Sequence, residues 1–280
     1  MIQPTIAKKE VTLHILRSFG IHMSKKLGQN FLINEQIVRG IVQAADIISG
    51  EAVLEIGPGI GTLTQGLAEA GASVTAVEID RHLLDVLAKT LAGYDNVRVV
   101  HGDILRLDIA REMKTEGYKV VANLPYYITT PIIMGLLEQR LPLKLLVTMV
   151  QKEVAERMVA CPGSKEYGAL SVAVQYYTEP QIMFMVPPSS FIPPPAVDSA
   201  VIRCTVRNQP PVSVYNENLF FRVVKAAFSQ RRKTLLNALK TMGRPADEIK
   251  ACLLKADIDG RRRGETLGLS EFAAIANTLE

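Results

Sequence analysis

The chain has 280 residues, of which 48% are hydrophobic and 21% are charged, a composition that excludes a disordered or fibrous protein. No apolar run approaches the roughly 18–20 residues of a membrane helix, and Lys8, Lys9 and Glu10 interrupt the N-terminal pattern of a secretion signal. The three cysteines are far apart and the four histidines are scattered, which indicates a reducing compartment and neither a disulfide framework nor a metal site. We therefore expect a cytoplasmic protein without a metal ion.

The net charge of +4 is unevenly distributed along the chain. Residues 1–202 carry 18 basic and 20 acidic side chains, whereas residues 203–280 carry 14 basic and 8 acidic ones. The basic surplus therefore lies in the last quarter, which favours a region that meets a polyanion. A solvated basic face on a small helical region explains the same surplus equally well.

Strands and helices alternate along the first three quarters of the chain. Helices at 8–18 and 34–47 precede the first strand, and Asn34 is suited to cap the second of them. The alternation predicts an α/β fold with a buried parallel sheet and helices on both of its faces. The predicted strands lie at 52–56, 73–79, 97–101, 118–122, 144–150, 180–186 and 198–206, with helices at 62–70, 80–92, 130–139, 151–160 and 167–177.

Residues 208–211, Asn-Gln-Pro-Pro, form the strongest candidate linker, because adjacent prolines continue neither a helix nor a strand. The chain beyond them is helical in pattern. We therefore predict a domain at 1–207, with an N-terminal extension at 1–24 whose role the sequence does not reveal, and a small all-helical C-terminal domain at 212–280. The helices of that domain are predicted at 216–229, 231–241, 246–256 and 270–279.

A glycine-rich loop follows the first strand of the sheet. Gly57, Gly59 and Gly61 follow the spacing G-x-G-x-G, which differs from the G-x-G-x-x-G that cradles a pyrophosphate. Glu78 ends the second strand and Asp103 follows the third, so both carboxylates are expected at the same edge of the sheet. A carboxylate there accepts hydrogen bonds from ribose hydroxyls or an adenine amino group. The pattern favours S-adenosylmethionine, although a structural turn, a capping role for Asp103, and an NAD site remain alternatives.

The fourth strand runs into Asn123, Leu124, Pro125 and Tyr126, the most specific motif of the chain. The N6 atom of adenine is a poor nucleophile, and two acceptors aimed at its hydrogens favour the rehybridisation that attack on a methyl sulfonium requires. The Asn123 side-chain oxygen and the Leu124 carbonyl are the candidate acceptors, with Pro125 restricting Leu124. Tyr126 offers an aromatic face for the base. An ordinary strand-to-turn junction is the alternative interpretation.

Phe191 lies in a proline-rich stretch between the last two strands. The prolines stiffen this loop, and Phe191 is a candidate for a second stacking face opposite Tyr126, so that an extruded base is held between two rings. A plain hydrophobic cover over the core is the alternative.

In this order, the segments resemble the KsgA/RsmA family of small-subunit ribosomal RNA adenine dimethyltransferases. The resemblance implies a Rossmann-like class I methyltransferase domain with a helical C-terminal domain. It also implies dimethylation of N6 on two adjacent adenosines in a loop near the 3′ end of 16S rRNA, during maturation of the small subunit. The segments that carry it are 27–32, 55–61, Glu78, 102–103, 123–131, 191–199 and 226–233.

The resemblance also implies individual roles. Contacts with S-adenosylmethionine fall on Asn30, Leu32, Gly57, Glu78, Asp103 and Asn123, of which Asn30 and Leu32 follow from the resemblance alone. By the same resemblance, Asn123, Leu124 and Tyr126 hold the target base, and Phe191 stacks on it. We expect a monomer whose partner is 16S rRNA within a small-subunit precursor, with no membrane contact. Independently of the resemblance, the basic side chains are candidate phosphate contacts, and those of the C-terminal domain are equally well solvated: Lys25, Lys26, Arg231, Arg232, Lys233, Arg261, Arg262 and Arg263.

Three other functions are weighed against this one. An NAD-dependent oxidoreductase is disfavoured by the glycine spacing and by the lack of a proton-transfer residue in the motifs. A non-catalytic assembly or transcription factor on the same fold is disfavoured by the intact 123–126 motif. Methyltransferases that modify 23S rRNA and confer macrolide resistance share the pocket motifs. Residues 167–172 and the arginine-rich start of the second C-terminal helix favour the small-subunit enzymes instead.

Overall fold

A computed structural model describes residues 4–21 and 28–280. Lys25 and Lys26 lie outside the described residues. The strands are β1 Phe31–Leu32, β2 Ala52–Ile56, β3 Ser73–Glu78, β4 Val97–His101, β5 Tyr118–Asn123, β6 Leu143–Gln151, β7 Thr178–Val186, β8 Phe191–Ile192 and β9 Ser199–Val206. The α-helices are α1 Lys9–Ser18, α2 Glu35–Ala45, α3 Thr62–Glu69, α4 Arg81–Thr90, α5 Ile109–Met113, α6 Thr129–Glu138, α7 Lys152–Val159, α8 Ala169–Tyr177, α9 Glu217–Ser229, α10 Leu235–Leu239, α11 Ala246–Lys255 and α12 Leu269–Leu279.

Seven of the described strands form one sheet in the order β4-β3-β2-β5-β6-β9-β7. The pairs from β4 to β6 are parallel, and β9 runs antiparallel to β6. The predicted α/β class is therefore confirmed, although β9 is antiparallel to its neighbour β6 where a parallel sheet was expected. The central strands are apolar on both faces because helices cover both, as buried parallel strands require. The strand order reverses between β2 and β5, and a ligand crevice is expected there.

The N-terminal helix α1 packs into a small apolar cluster of its own. Ile15 and Leu16 are buried there with Ile60 of the glycine loop and Leu83 of α4. The backbone N–H of Ile6 donates to the Gln65 side-chain oxygen over 2.8 Å, which ties the segment before α1 to α3. The described part of the N-terminal extension is thus packed against the domain that carries the glycine loop.

The chain separates into two compact units, Met1–Ala155 with Gln181–Val206, and Glu156–Pro180 with Arg207–Glu280. The last of the three breaks, between residues 206 and 207, falls next to the predicted linker at 208–211. Residues 156–180, which the prediction assigned to the first domain, belong to the second unit. The reason is aromatic packing, because Tyr176 of α8 stacks on Phe220 of α9 with ring centroids 4.9 Å apart. The Tyr176 and Tyr177 hydroxyls both donate to the Glu217 carboxylate, over 3.2 and 2.7 Å.

Local departures from the prediction have simple causes. The helix predicted at 231–241 begins only at Leu235, because Lys233 N–H closes a turn onto the Gln230 carbonyl. The strands β1 and β8 were not predicted, since two residues carry no periodic signal, and α5 was missed because its five residues make little more than one helical turn. The predicted Asn34 cap is confirmed, as its side-chain oxygen accepts from Gln36 N–H over 3.0 Å. Among the described residues, every helix is too short or too polar to cross a membrane.

Candidate active site

A pocket opens where the carboxyl ends of β2, β3 and β5 meet, at the reversal of strand order. The segment 28–32 forms a further wall. Six of the predicted cofactor-binding residues line this pocket, namely Asn30, Leu32, Gly57, Gly59, Glu78 and Asn123, together with the base-holding candidates Leu124, Pro125 and Tyr126. The fold therefore assembles one site from segments almost 100 residues apart.

The glycine loop turns through backbone conformations that other residues rarely adopt. Gly57 has φ of 69° and Gly59 has φ of 62°. Open space surrounds the position that a Gly57 side chain would take, whereas a side chain on Gly59 would lie 3.4 Å from the Phe31 ring. Gly57 therefore leaves the pocket floor open for a ligand. Gly61 does not line the pocket; it caps α3, and a side chain there would press on Leu91 at 3.1 Å.

Glu78 is held rigidly at the end of β3. Its Oε2 accepts from Gly59 N–H over 3.2 Å and its Oε1 accepts from Asp80 N–H over 2.8 Å. Each oxygen retains capacity for one more hydrogen bond, which suits a pair of hydroxyl donors. Burial raises the pKa of Glu78, and the backbone N–H groups of Asp80, Gly59 and Ile79 oppose that rise.

Glu55, at the end of β2, is a second carboxyl group in the pocket wall, and its side chain was not singled out from the sequence. It is 1% exposed, and its Oε2 has no hydrogen-bond partner among the described residues. Burial raises the pKa of Glu55 to about 8, with the adjacent Thr64 hydroxyl lowering it and the charge of Glu78 raising it further. The signal that could have found it is a carboxylate inside an otherwise apolar strand.

Asn123 is fixed by a hydrogen bond across the pocket. Its Nδ2 donates to the Asn30 carbonyl over 3.4 Å, and the Asn30 side chain in turn donates to the Gly28 carbonyl over 3.2 Å. The oxygen of the Asn123 amide is then the end left to accept from a ligand. Leu124 donates its N–H to Met149, and its carbonyl accepts no hydrogen bond from the described residues.

Tyr126 and Tyr127 form two aromatic surfaces beside these acceptors. The Tyr126 hydroxyl lies 2.5 Å from the Ser199 hydroxyl, which anchors the ring at the start of β9. Burial raises the pKa of Tyr126, and the Ser199 bond acts in the opposite direction. Tyr127, which sequence reasoning missed, also lines the pocket and is 58% exposed. An exposed tyrosine at a pocket rim is a surface on which a base can stack.

Besides Gly61, two predicted site residues, Phe191 and Asp103, do not line the pocket. Phe191 is 2% exposed and belongs to the hydrophobic core, where β8 pairs it with Leu32. Asp103 serves the turn after β4, since its Oδ1 accepts from Leu105 N–H over 3.1 Å and its Oδ2 lies 3.6 Å from Arg106. The stacking of Phe191 on the target base and the hydrogen bond of Asp103 to the adenine of the cofactor stay predictions. Each requires that the ligand contact a side chain that lies outside the pocket lining.

The predicted phosphate contacts of the helical unit divide into two groups. The backbone N–H groups of Leu235 and Leu236 donate to the carbonyls of Arg262 and Gly260, which brings the chain just after 231–233 beside residues 260–262. The first group is held by carboxylates: Arg231 by Glu265, Arg261 by Asp259 and Arg262 by Glu271. The second group has no ion pair within the described chain: Arg232, Lys233 and Arg263.

The charge of the pocket identifies the kind of ligand it accepts. Two carboxyl groups, Glu55 and Glu78, line it, and no lysine, arginine or histidine does so among the described residues. Such a site suits a positively charged ligand that carries hydroxyl groups, and it disfavours a dinucleotide with its phosphates.

Comparison with known proteins agrees with this geometry. The family of ribosomal RNA adenine dimethylases matches residues 21–279. The chain is 53% identical to ribosomal RNA small subunit methyltransferase A of Moorella thermoacetica, over 99% of both chains. It is 50% identical to the protein of the same name from Alkaliphilus oremlandii, over 98% of both.

Solved structures show the same relationship. A dimethyladenosine transferase of Plasmodium falciparum superposes with a TM-score of 0.74 at 28% identity, covering 88% of this chain and 95% of that one. The 23S rRNA methyltransferase ErmE superposes with a TM-score of 0.68 at 27% identity, covering 89% and 99%. The match spans both structural units and the pocket, and the chain belongs to the ribosomal RNA adenine dimethylase family.

Proposed function

We propose that this protein transfers methyl groups from S-adenosylmethionine to the N6 atoms of two adjacent adenosines in 16S rRNA, in a cytoplasmic precursor of the small ribosomal subunit. The single observation that carries the proposal is the convergence of Glu78, Asn123 and Leu124 on one pocket.

The residues of the pocket fit S-adenosylmethionine. Glu78 has the remaining acceptor capacity for two ribose hydroxyls. The open space over Gly57 admits a ligand against the backbone, and the two carboxyl groups suit a cation. When bound, the cofactor supplies an electrophilic methyl group on a positively charged sulfur. Asn30 and Leu32 complete the wall from the segment before α2.

The target base is held by the turn after β5. The Asn123 side-chain oxygen and the Leu124 carbonyl accept hydrogen bonds from the two N6 hydrogens, which returns electron density to the nitrogen and prepares it for attack. For each methyl group that N6 gains it loses one proton, which leaves to solvent. Tyr126 supports the base from a ring fixed by Ser199. A monomethylated amine still offers one hydrogen, so the same two acceptors retain one partner for the second transfer.

RNA phosphates are bound by the basic segments of the helical unit. Arg232, Lys233 and Arg263 are the strongest candidates, because no carboxylate of the described chain neutralises them. Arg231, Arg261 and Arg262 shape the same surface from within their ion pairs. These contacts hold the RNA without reading its sequence. Tyr127 adds an aromatic surface at the pocket rim for a base beside the target.

The small-subunit target is favoured over the large-subunit one by similarity. The two relatives at 50–53% identity carry the name of small-subunit enzymes, while the 23S rRNA methyltransferase shares 27%. An assembly factor without activity is disfavoured, because Asn123 and Leu124 line the pocket and the Tyr126 ring is anchored by Ser199.

Transfer of labelled methyl groups to small subunits that lack this modification tests the proposal. We expect up to four methyl groups per particle, two on each of two adenosines. Absence of transfer to such particles, with S-adenosylmethionine bound, would instead favour the assembly factor.

A further inference from the structure

The pocket contains an ionisable group that the transfer step does not use. Glu55 is 1% exposed in the pocket wall, and its Oε2 lacks a hydrogen-bond partner within the described residues. An ionised carboxylate with an unpartnered oxygen and no neighbouring positive charge is costly to bury, and such a group takes up a proton instead. In the free protein Glu55 is therefore neutral near pH 7, as its raised pKa of about 8 also indicates.

The surroundings of Glu55 offer no compensating positive charge among the described residues. Glu78 on β3 is itself a buried carboxylate, with Asp80 beyond it. α3 presents the buried hydroxyls of Thr62 and Thr64, which carry no charge. Lys119 of β5 is paired with Glu51 at 2.8 Å, at the end of the strand away from the pocket.

We propose that Glu55 is a proton-releasing site for the cofactor: its carboxyl group is protonated in the free protein and ionises when the positively charged S-adenosylmethionine binds. This inference rests on the proposed function and concerns the charge state of its cofactor. The positive charge of the bound cofactor stabilises the ionised form of Glu55, which no charged group of the described protein does. The proton that Glu55 loses goes to solvent.

A consequence is discrimination between the cofactor and its product. S-adenosylmethionine carries a net charge of +1, whereas S-adenosylhomocysteine, which has lost the methyl group, is a neutral zwitterion. Only the first brings a net charge to stabilise ionised Glu55. After methyl transfer, Glu55 takes up a proton from solvent. The bound S-adenosylhomocysteine then no longer gains from electrostatic attraction to an ionised Glu55. Glu55 is thus a specificity residue that favours product exchange.

Isothermal titration in buffers of different ionisation enthalpy measures the protons released on binding. At pH 7 we expect the wild-type protein to release close to one proton per bound S-adenosylmethionine, and clearly fewer with S-adenosylhomocysteine. As the pH rises toward 8, the Kd of S-adenosylmethionine should fall by up to about tenfold per pH unit, and above pH 8 it should level off. The Kd of the product should change less over the same range.

Glu55→Gln is the decisive variant, because the neutral amide has the shape of the protonated carboxyl, and we expect the variant to fold. It should bind S-adenosylmethionine without proton release and lose most of the preference over S-adenosylhomocysteine. Glu78→Gln is the matched control, with weaker binding but retained release. Difference infrared spectra should show the loss of a protonated carboxyl band on binding in the wild type, and none in Glu55→Gln.

The possible failures are distinguishable. If S-adenosylmethionine binds but equal numbers of protons are released by wild type and Glu55→Gln, or by cofactor and product, this inference is overturned and the proposed function stands. If neither ligand binds the wild-type protein, the cofactor assignment itself is overturned, and this inference with it.

Discussion

The side-chain nitrogen of Asn123 lies 3.4 Å from the backbone oxygen of Asn30. This bond joins residues 93 positions apart in sequence and determines which end of the Asn123 amide faces outward as an acceptor. The segment before α2 and the turn after β5 therefore form one unit, in which the first orients the residue that holds the target amine.

Replacing Asn123 by Ala should nearly abolish methyl transfer. Removing one positioned partner of a reacting group reduces turnover on the order of 100-fold or more, and RNA affinity should change little because phosphate contacts lie elsewhere. Single-turnover kinetics and RNA binding by fluorescence anisotropy measure the two effects. Near-normal turnover in this variant would show that the side-chain acceptor is dispensable.

The variants Tyr126→Phe and Tyr126→Ala distinguish the contribution of the aromatic ring from that of the hydroxyl group that anchors it. The Phe variant keeps the aromatic face but leaves the buried Ser199 hydroxyl without its partner, which should cost about 1–2 kcal/mol of stability. Its turnover should stay within a few fold of wild type. The Ala variant should lose turnover far more strongly, because the base loses its surface. Equal turnover in both variants would mean that stacking on Tyr126 does not occur.

The two groups of basic residues should behave differently toward RNA. Replacing Arg232, Lys233 and Arg263 by Ala should weaken RNA binding and flatten the dependence of log K on log salt by close to one unit for each phosphate that is no longer neutralised. The matched triple variant of Arg231, Arg261 and Arg262 should mainly reduce stability, since it breaks ion pairs within the unit. If both variants share the same salt slope as wild type, neither segment touches phosphate.

The N-terminal helix should contribute to both stability and cofactor affinity. Leu16→Ala empties part of the cluster that contains Ile60 and Leu83, and the cavity should reduce the free energy of unfolding by about 2–4 kcal/mol. Cofactor binding should weaken as well, because Leu83 lines the pocket. Urea unfolding and titration with S-adenosylhomocysteine test these effects. The exposed Arg17→Ala is the control and should change neither quantity.

Glu55 should make stability fall as pH rises. Its pKa is about 8 in the folded protein against an ordinary value of 4.5, so the unfolded chain loses this proton first. The associated stability is complete below about pH 4.5 and is lost progressively up to about pH 8, with a slope of at most about 1.4 kcal/mol per pH unit. Glu55→Gln should lack this contribution. Parallel stability profiles for the two proteins between pH 5 and 8 would contradict the buried neutral carboxyl.

The features predicted well from the sequence are those with a strong local signal. The strands around the glycine loop alternate with helices in a way that leaves few other folds, and Gly57, Glu78 and Asn123 then meet at the strand ends by topology alone. Phe191 shows the limit, because its place in a proline-rich stretch does not reveal that β8 pairs with β1 and buries the ring in the core.

The remaining features depend on contacts between distant segments. Residues 156–180 join the helical unit through Tyr176 and Phe220, a packing that no motif encodes. The basic residues look alike in sequence, and only the structure separates Arg261, paired with Asp259, from Arg263. The importance of Glu55 is likewise visible only once its burial is known.

The most direct test of the central claim is to offer the protein both small ribosomal subunits lacking the modification and 23S rRNA, then map every methylated adenosine by mass spectrometry. We predict N6,N6-dimethyladenosine at two adjacent positions in a loop near the 3′ end of 16S rRNA, and none in 23S rRNA. Methylation confined to 23S rRNA, or at an atom other than N6, would contradict it.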